Sequence, residues 1–135
     1  MKRMICLVLI LLLCGCGNAG AEERGMNSEK DRHWYLEKMG RHAAEQPLSI
    51  QEVRLPEEFP PVLEEYNRLQ LHQGFDLTKY AGKEITVYTY ELEDSTASPL
   101  LFVSLYQYKG RIVGGDVHSA ALNGYMGPIL ATENG

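Results

Sequence analysis

The sequence predicts an α+β domain, two helices packed on one face of a small antiparallel sheet, placed after a signal peptide and a flexible tether. Three observations predict it. Apolar residues recur at helical spacing twice before Gly74, alternate with a period of two from Lys83 onward, and open the chain as a short run ending in cysteines.

The opening run comes first. Lys2 and Arg3 precede eleven apolar residues, Met4 to Cys14. A charged start, a short apolar stretch and small residues at a cut site describe a secretory signal peptide. The run is shorter than the roughly 20 residues that span a bilayer. Leu13-Cys14-Gly15-Cys16 resembles the lipobox of bacterial lipoproteins, with Gly15 as the small residue before the lipid-bearing cysteine. Cys14 follows bulky Leu13 and does not fit that role. Residues 1–15 are therefore expected to be signal and Cys16 the lipid attachment site. Two or more acyl chains anchor a protein stably, where one holds marginally. The expected location is the outer face of the cell membrane.

Composition narrows the rest. Cys6, Cys14 and Cys16 are the three cysteines, so the body has none for a disulfide, a thiol nucleophile or a metal site. Of 13 Lys and Arg, two fall in the signal, which leaves 11 against 18 Asp and Glu, a net of −7. Without a Lys/Arg cluster, nucleic acid is excluded as an expected partner. Residues 16–28, the lipidated cysteine and "GNAGAEERGMNS", are polar and aperiodic and are expected to form the tether. Residues 29–131 make one domain.

Within it, Glu29 to Met39 predicts the first helix, capped by Ser28 and ended by Gly40, with Arg32, Tyr35, Leu36 and Met39 on one face. Ile50, Val53 and Leu55 predict a weak strand. Phe59, Val62, Leu63, Tyr66 and Leu69 predict the apolar face of a second helix, starting near Phe59 because Pro60 and Pro61 suit only a first turn. Gly74 ends it with Phe75 folded back on Leu69, and Asp76 caps the turn that follows. "EITVYTYEL" alternates Ile85 and Val87 against Tyr88, Tyr90 and Leu92. "PLLFVSLYQY" alternates Leu101, Val103 and Leu105 against Phe102, Tyr106 and Tyr108. Lys109-Gly110 turns that strand into "RIVGGDVHS" as a hairpin. Asn123-Gly124 marks a further turn, after which Tyr125, Met126, Ile129 and Leu130 fold back.

"LPEEF" (55–59), "YNRLQLHQGFDLTKYAGK" (66–83), "YTYEL" (88–92) and "IVGGDVHSAALNGYM" (112–126) give the chain a resemblance to the bacterial family known as domain of unknown function 4830. The shared pattern is a Tyr-Asn-x-x-Gln helix ending in Gly-Phe-Asp-Leu, followed by a Gly-Gly-Asp strand. It covers residues 32 to 130 and departs from the family at Pro60-Pro61. The resemblance implies a compact, exported, membrane-anchored domain with no assigned activity and supplies no catalytic residue.

Two constellations are candidates for function. Tyr88 and Tyr90 share one strand face, and Tyr106 and Tyr108 share another; if those faces coincide, they form an aromatic surface for envelope sugars or peptides. Cross-strand aromatic pairing that stabilises the sheet is the stronger explanation of them. Asp116 and His118 share a strand face after a Gly pair, a carboxylate and an imidazole that could begin a metal or acid–base site, with His33, His42 and His72 as further candidates. The same glycines suit a bulge or a close crossing with a helix. Tyr66-Asn67, Gln70 and Gln73 suit hydrogen bonds from the second helix to loops. No nucleophile elbow or phosphate loop is present. The expected function is a non-enzymatic binding or accessory module of the cell envelope, without a cofactor or metal, whose partner is a cell-wall component or an envelope protein. The alternative is a small metal-assisted hydrolase centred on Asp116 and His118.

Overall fold

A computed structural model of the chain describes residues 25–93, 100–121 and 124–131. The predicted signal segment, Cys16, most of the tether and Asn123 lie outside those residues.

Helix α1 spans Glu29–Lys38, and the Ser28 hydroxyl accepts from the Asp31 N–H as its cap. Gly40, at φ 78°, ends it: the Gly40 N–H reaches the Glu37 carbonyl and the Arg41 N–H the Leu36 carbonyl, a Schellman motif. Strand β1 (Ser49–Arg54) leads to α2 (Pro61–His72) and a 3₁₀ turn over Leu77–Tyr80. Strands β2 (Glu84–Glu91), β3 (Leu101–Tyr108), β4 (Arg111–Ser119) and the two-residue β5 (Met126–Gly127) complete the chain. All pair antiparallel in the order β1-β2-β3-β4-β5, which bears out the α+β class. Lys109 (φ 47°) and Gly110 (φ 74°) form the β3–β4 turn with the two positive φ angles that match strand twist. Among the described residues no helix is long and apolar enough to cross a membrane.

Three local expectations shift. Helix α2 starts at Pro61, not Phe59, with Pro60 as its cap residue at ψ 165°. A residue before proline is driven out of the helical region, so Phe59 and Pro60 are both kept extended. Val62, assigned to the apolar face, is 74 % exposed. The buried stripe of α2 runs instead through Asn67 and Gln70, because the sheet edge it meets offers unpaired amide groups. The tether also ends before Ser28. Met26 is only 3 % exposed, its N–H donates to the Gly110 carbonyl, and its own carbonyl accepts from Gln107 Nε2 at 2.6 Å. One apolar side chain and two hydrogen bonds suffice to hold an otherwise polar segment against the hairpin.

The layers divide more evenly than two helices on one face. Register places Tyr88, Tyr90, Val103, Leu105 and Val117 on one side of the sheet, where Leu36 of α1 and Ile129 close a core. The other side carries Ile85, Val87 and Val113, covered by Leu55 and by Leu77 of the 3₁₀ turn. Helix α2 stands at the β4 edge and sends Tyr66 to this second side.

Candidate functional site

The quoted motifs meet in space. Gly114 and Gly115 lie on β4 beside an irregularity in its pairing with Tyr106 and Gln107. A Cβ on Gly114 would stand 3.1 Å from both Gln70 Oε1 and a Leu77 methyl, so the Gly pair admits the close crossing of α2. Gln70, fully buried, donates from Nε2 to the Gly115 carbonyl and accepts from the Gly115 N–H, both at 2.9 Å. Gln73 Nε2 donates to the same carbonyl, and its Oε1 accepts from the Ile129 N–H. Asn67 accepts from the Leu77 N–H at 2.8 Å and donates to Asp76, which caps the 3₁₀ turn through the Thr78 N–H.

Tyr66 lies one turn before Gln70, and its hydroxyl donates to Asp116 Oδ2. The other oxygen of Asp116 lies 2.7 Å from His118 Nδ1. Asp116 is buried, while the His118 side chain is 30 % exposed and stacks on Phe102 at 5.9 Å between centroids. Tyr106 lies 5.8 Å from the Tyr66 ring. A polar chain thus runs Tyr66–Asp116–His118 from beneath α2 to the surface. With Nδ1 turned to Asp116, Nε2 is the ring nitrogen left for a ligand.

Electrostatics follow. The hydrogen bond to Asp116 raises the His118 pKa above its ordinary value, against the opposing effect of partial burial. Burial, reinforced by the Asp116 charge, pushes the Tyr66 hydroxyl far up, and burial raises Tyr106 as well. Tyr66 therefore stays a neutral donor throughout the physiological range.

Asp116 and His118 are thus brought together as their spacing implies. His33, His42 and His72 do not join them: among the described residues no three His, Cys, Asp or Glu side chains gather as metal ligands. The tyrosines do not form one surface. Val87 faces Tyr106 and Tyr88 faces Leu105, an odd offset that puts Tyr88 and Tyr90 on the α1 side and Tyr106 and Tyr108 on the other. Tyr90 is fully buried; its hydroxyl donates to Glu29 Oε1 at 2.6 Å and accepts from Arg32 Nε at 2.9 Å. The Arg32 guanidinium also covers the Tyr88 ring at 3.7 Å. Tyr108 packs edge-on against Tyr80. All four are engaged in holding the sheet to its neighbours.

The partner missed in the sequence is Tyr66, fifty residues from Asp116. The Tyr-Asn-x-x-Gln spacing sets Tyr66 and Gln70 on one helical face, but the strand which that face meets is not written in the spacing.

No curated protein and no solved structure matches the chain. A family pattern does, over residues 35–117, and this stretch holds both helix motif and Gly-Gly-Asp strand. The chain belongs to the family described as Domain of unknown function (DUF4830).

Proposed function

We propose that the protein is a non-enzymatic binding module, held on the outer face of the cell membrane by lipid on Cys16, which grips an acceptor-bearing component of the envelope through His118. The observation that carries this reading is the partly exposed His118 imidazole, fixed from behind by buried Asp116 and from the side by Phe102. Both Asp116 oxygens are engaged, so the carboxylate orients the ring and favours its protonated form. A cationic donor beside an aromatic face suits a carboxylate, such as that of a wall stem peptide. The anchor rests on Leu13-Cys14-Gly15-Cys16.

Two experiments test the reading. Fractionation of cells expressing the full chain should place it with membranes, and Cys16→Ser should abolish the lipid and the membrane retention that depends on it. Purified protein should be stabilised by carboxylate-bearing stem peptides and His118→Gln should not. A peptide at 100 times its dissociation constant adds about 2.7 kcal/mol, a shift readily seen in thermal unfolding. Equal shifts in both proteins would place binding elsewhere. The 2.7 Å Asp116–His118 contact favours one other reading, metal-assisted hydrolysis at that pair. Stoichiometric metal in the purified protein, with zinc stabilisation reversed by chelator, would move the assignment there.

A further inference from the structure

We infer that the cleft between the outer side of α1 and the turn at residues 45–46 binds a neutral saccharide of one or two pyranose rings. The cleft encloses about 480 Å³, within the range of roughly 300–1,000 Å³ found for small-molecule sites. His33, Trp34 and Glu37 line it from the helix, and Glu45 and Gln46 from the turn. Trp34 is the single tryptophan of the chain.

The walls are set before any ligand arrives. The Ala44 N–H donates to the Glu91 carbonyl at 2.8 Å and the Leu48 N–H to the Thr89 carbonyl at 2.7 Å, so β2 pins the turn on both sides. His33 Nε2 lies 3.0 Å from the Glu45 carbonyl oxygen, and its ring meets Tyr90 edge-on at 5.4 Å. A preformed cleft spares the ligand the cost of ordering it.

An indole flanked by carboxylates and an amide matches a sugar. The C–H face of a pyranose stacks on the ring, while its hydroxyls donate to Glu37 and Glu45 and exchange hydrogen bonds with Gln46. Charge separates this class from others. Glu29 is paired with Arg32 at 2.6 Å, and Glu37 and Glu45 against Lys30 leave the lining acidic by one charge, which disfavours anions. A cation over Trp34 would meet the Lys38 ammonium, already 4.9 Å from the ring centroid. A neutral polyol suffers neither penalty.

The choice of envelope sugars as probes rests on the anchored reading above; the cleft itself does not. The test is a titration of the purified full chain with the disaccharide of N-acetylglucosamine and with that of glucose, followed by Trp34 emission. A saturable blue shift with at least one sugar is expected. Glu37→Ala and Gln46→Ala, both at exposed positions, should each weaken the response about tenfold, as expected for one lost hydrogen bond to a ligand. Flat titrations with both sugars overturn the proposal. So does a response that survives both substitutions, or one evoked by tetramethylammonium in place of sugar. Trp34→Phe, silent in this readout, should keep only part of the sugar-induced rise in unfolding temperature, and an undiminished rise would also overturn it. Failure here condemns the cleft alone, since failure of the anchored reading shows in fractionation.

Discussion

Gln70 completes the outer edge of β4 by exchanging two hydrogen bonds with the backbone of Gly115, amide nitrogen to carbonyl and N–H to amide oxygen, each 2.9 Å long. A side-chain amide carries the same donor and acceptor as a peptide unit, so it stands in for a neighbouring strand where β5 has ended. Gln70→Ala leaves the Gly115 N–H buried and unpaired, at about 1–3 kcal/mol, while the Gly115 carbonyl keeps Gln73 Nε2. A large fall in the urea midpoint is expected. A change under about 0.5 kcal/mol, ordinary for a surface position, would show that water replaces the amide.

The glycines separate two costs. A Cβ on Gly115 would stand 2.4 Å from the Ser104 carbonyl oxygen and 2.8 Å from Ile129 Cδ1. Gly115→Ala must therefore move backbone and should lose about 1–3 kcal/mol or more. At Gly74 nothing lies within 4 Å, but φ is +91°. Gly74→Ala should lose about 1–2 kcal/mol from backbone conformation alone. Denaturation of both variants side by side checks the order.

His118 gives stability a pH dependence of known sign. Its pKa is raised in the folded protein by Asp116, so the contribution is complete below the unfolded value and disappears as pH rises through the folded one. Urea midpoints of the wild type should drop as pH rises above the ordinary imidazole pKa of about 6.5. His118→Gln should flatten that part of the profile. An unchanged slope would trace the drop to another group.

Tyr90 sits at the centre of a buried cluster with Glu29 and Arg32. Tyr90→Phe keeps the ring and removes the hydroxyl, so Arg32 loses an acceptor. A loss of about 1.5–3 kcal/mol is expected, the range for hydrogen bonds to charged groups. Tyr88→Ala should also destabilise, since the Arg32 guanidinium loses the ring it covers. Equilibrium unfolding of both variants, with far-ultraviolet dichroism to verify the fold, checks this.

Local chemistry was legible in the sequence. Ser28, Gly40, Gly74 and Asp76 cap or end their elements as their residue types imply, and Lys109-Gly110 closes the hairpin. The alternation in β2 and β3 also names the residues on each strand face. Relations between strands were not legible. Whether Tyr88 and Tyr106 share a surface depends on a register offset of one residue, and a slip of one reverses every side chain. Tyr66 and Asp116 meet only because α2 docks on an edge, which no local spacing encodes. Asp116 and His118 could be read as a pair because two positions along a strand suffice. Val62 misled because helical periodicity marks apolar residues, whereas the buried stripe of α2 is made of amides.

The docking of Met26 on Gly110 gives the domain a top and a bottom. The chain enters at the tip of the β3–β4 hairpin, and His118 lies eight residues beyond Gly110, about 26 Å at the usual rise of a strand. For a chain tethered at Cys16, the hairpin tip becomes the pole nearest the lipid and the imidazole the pole that looks outward.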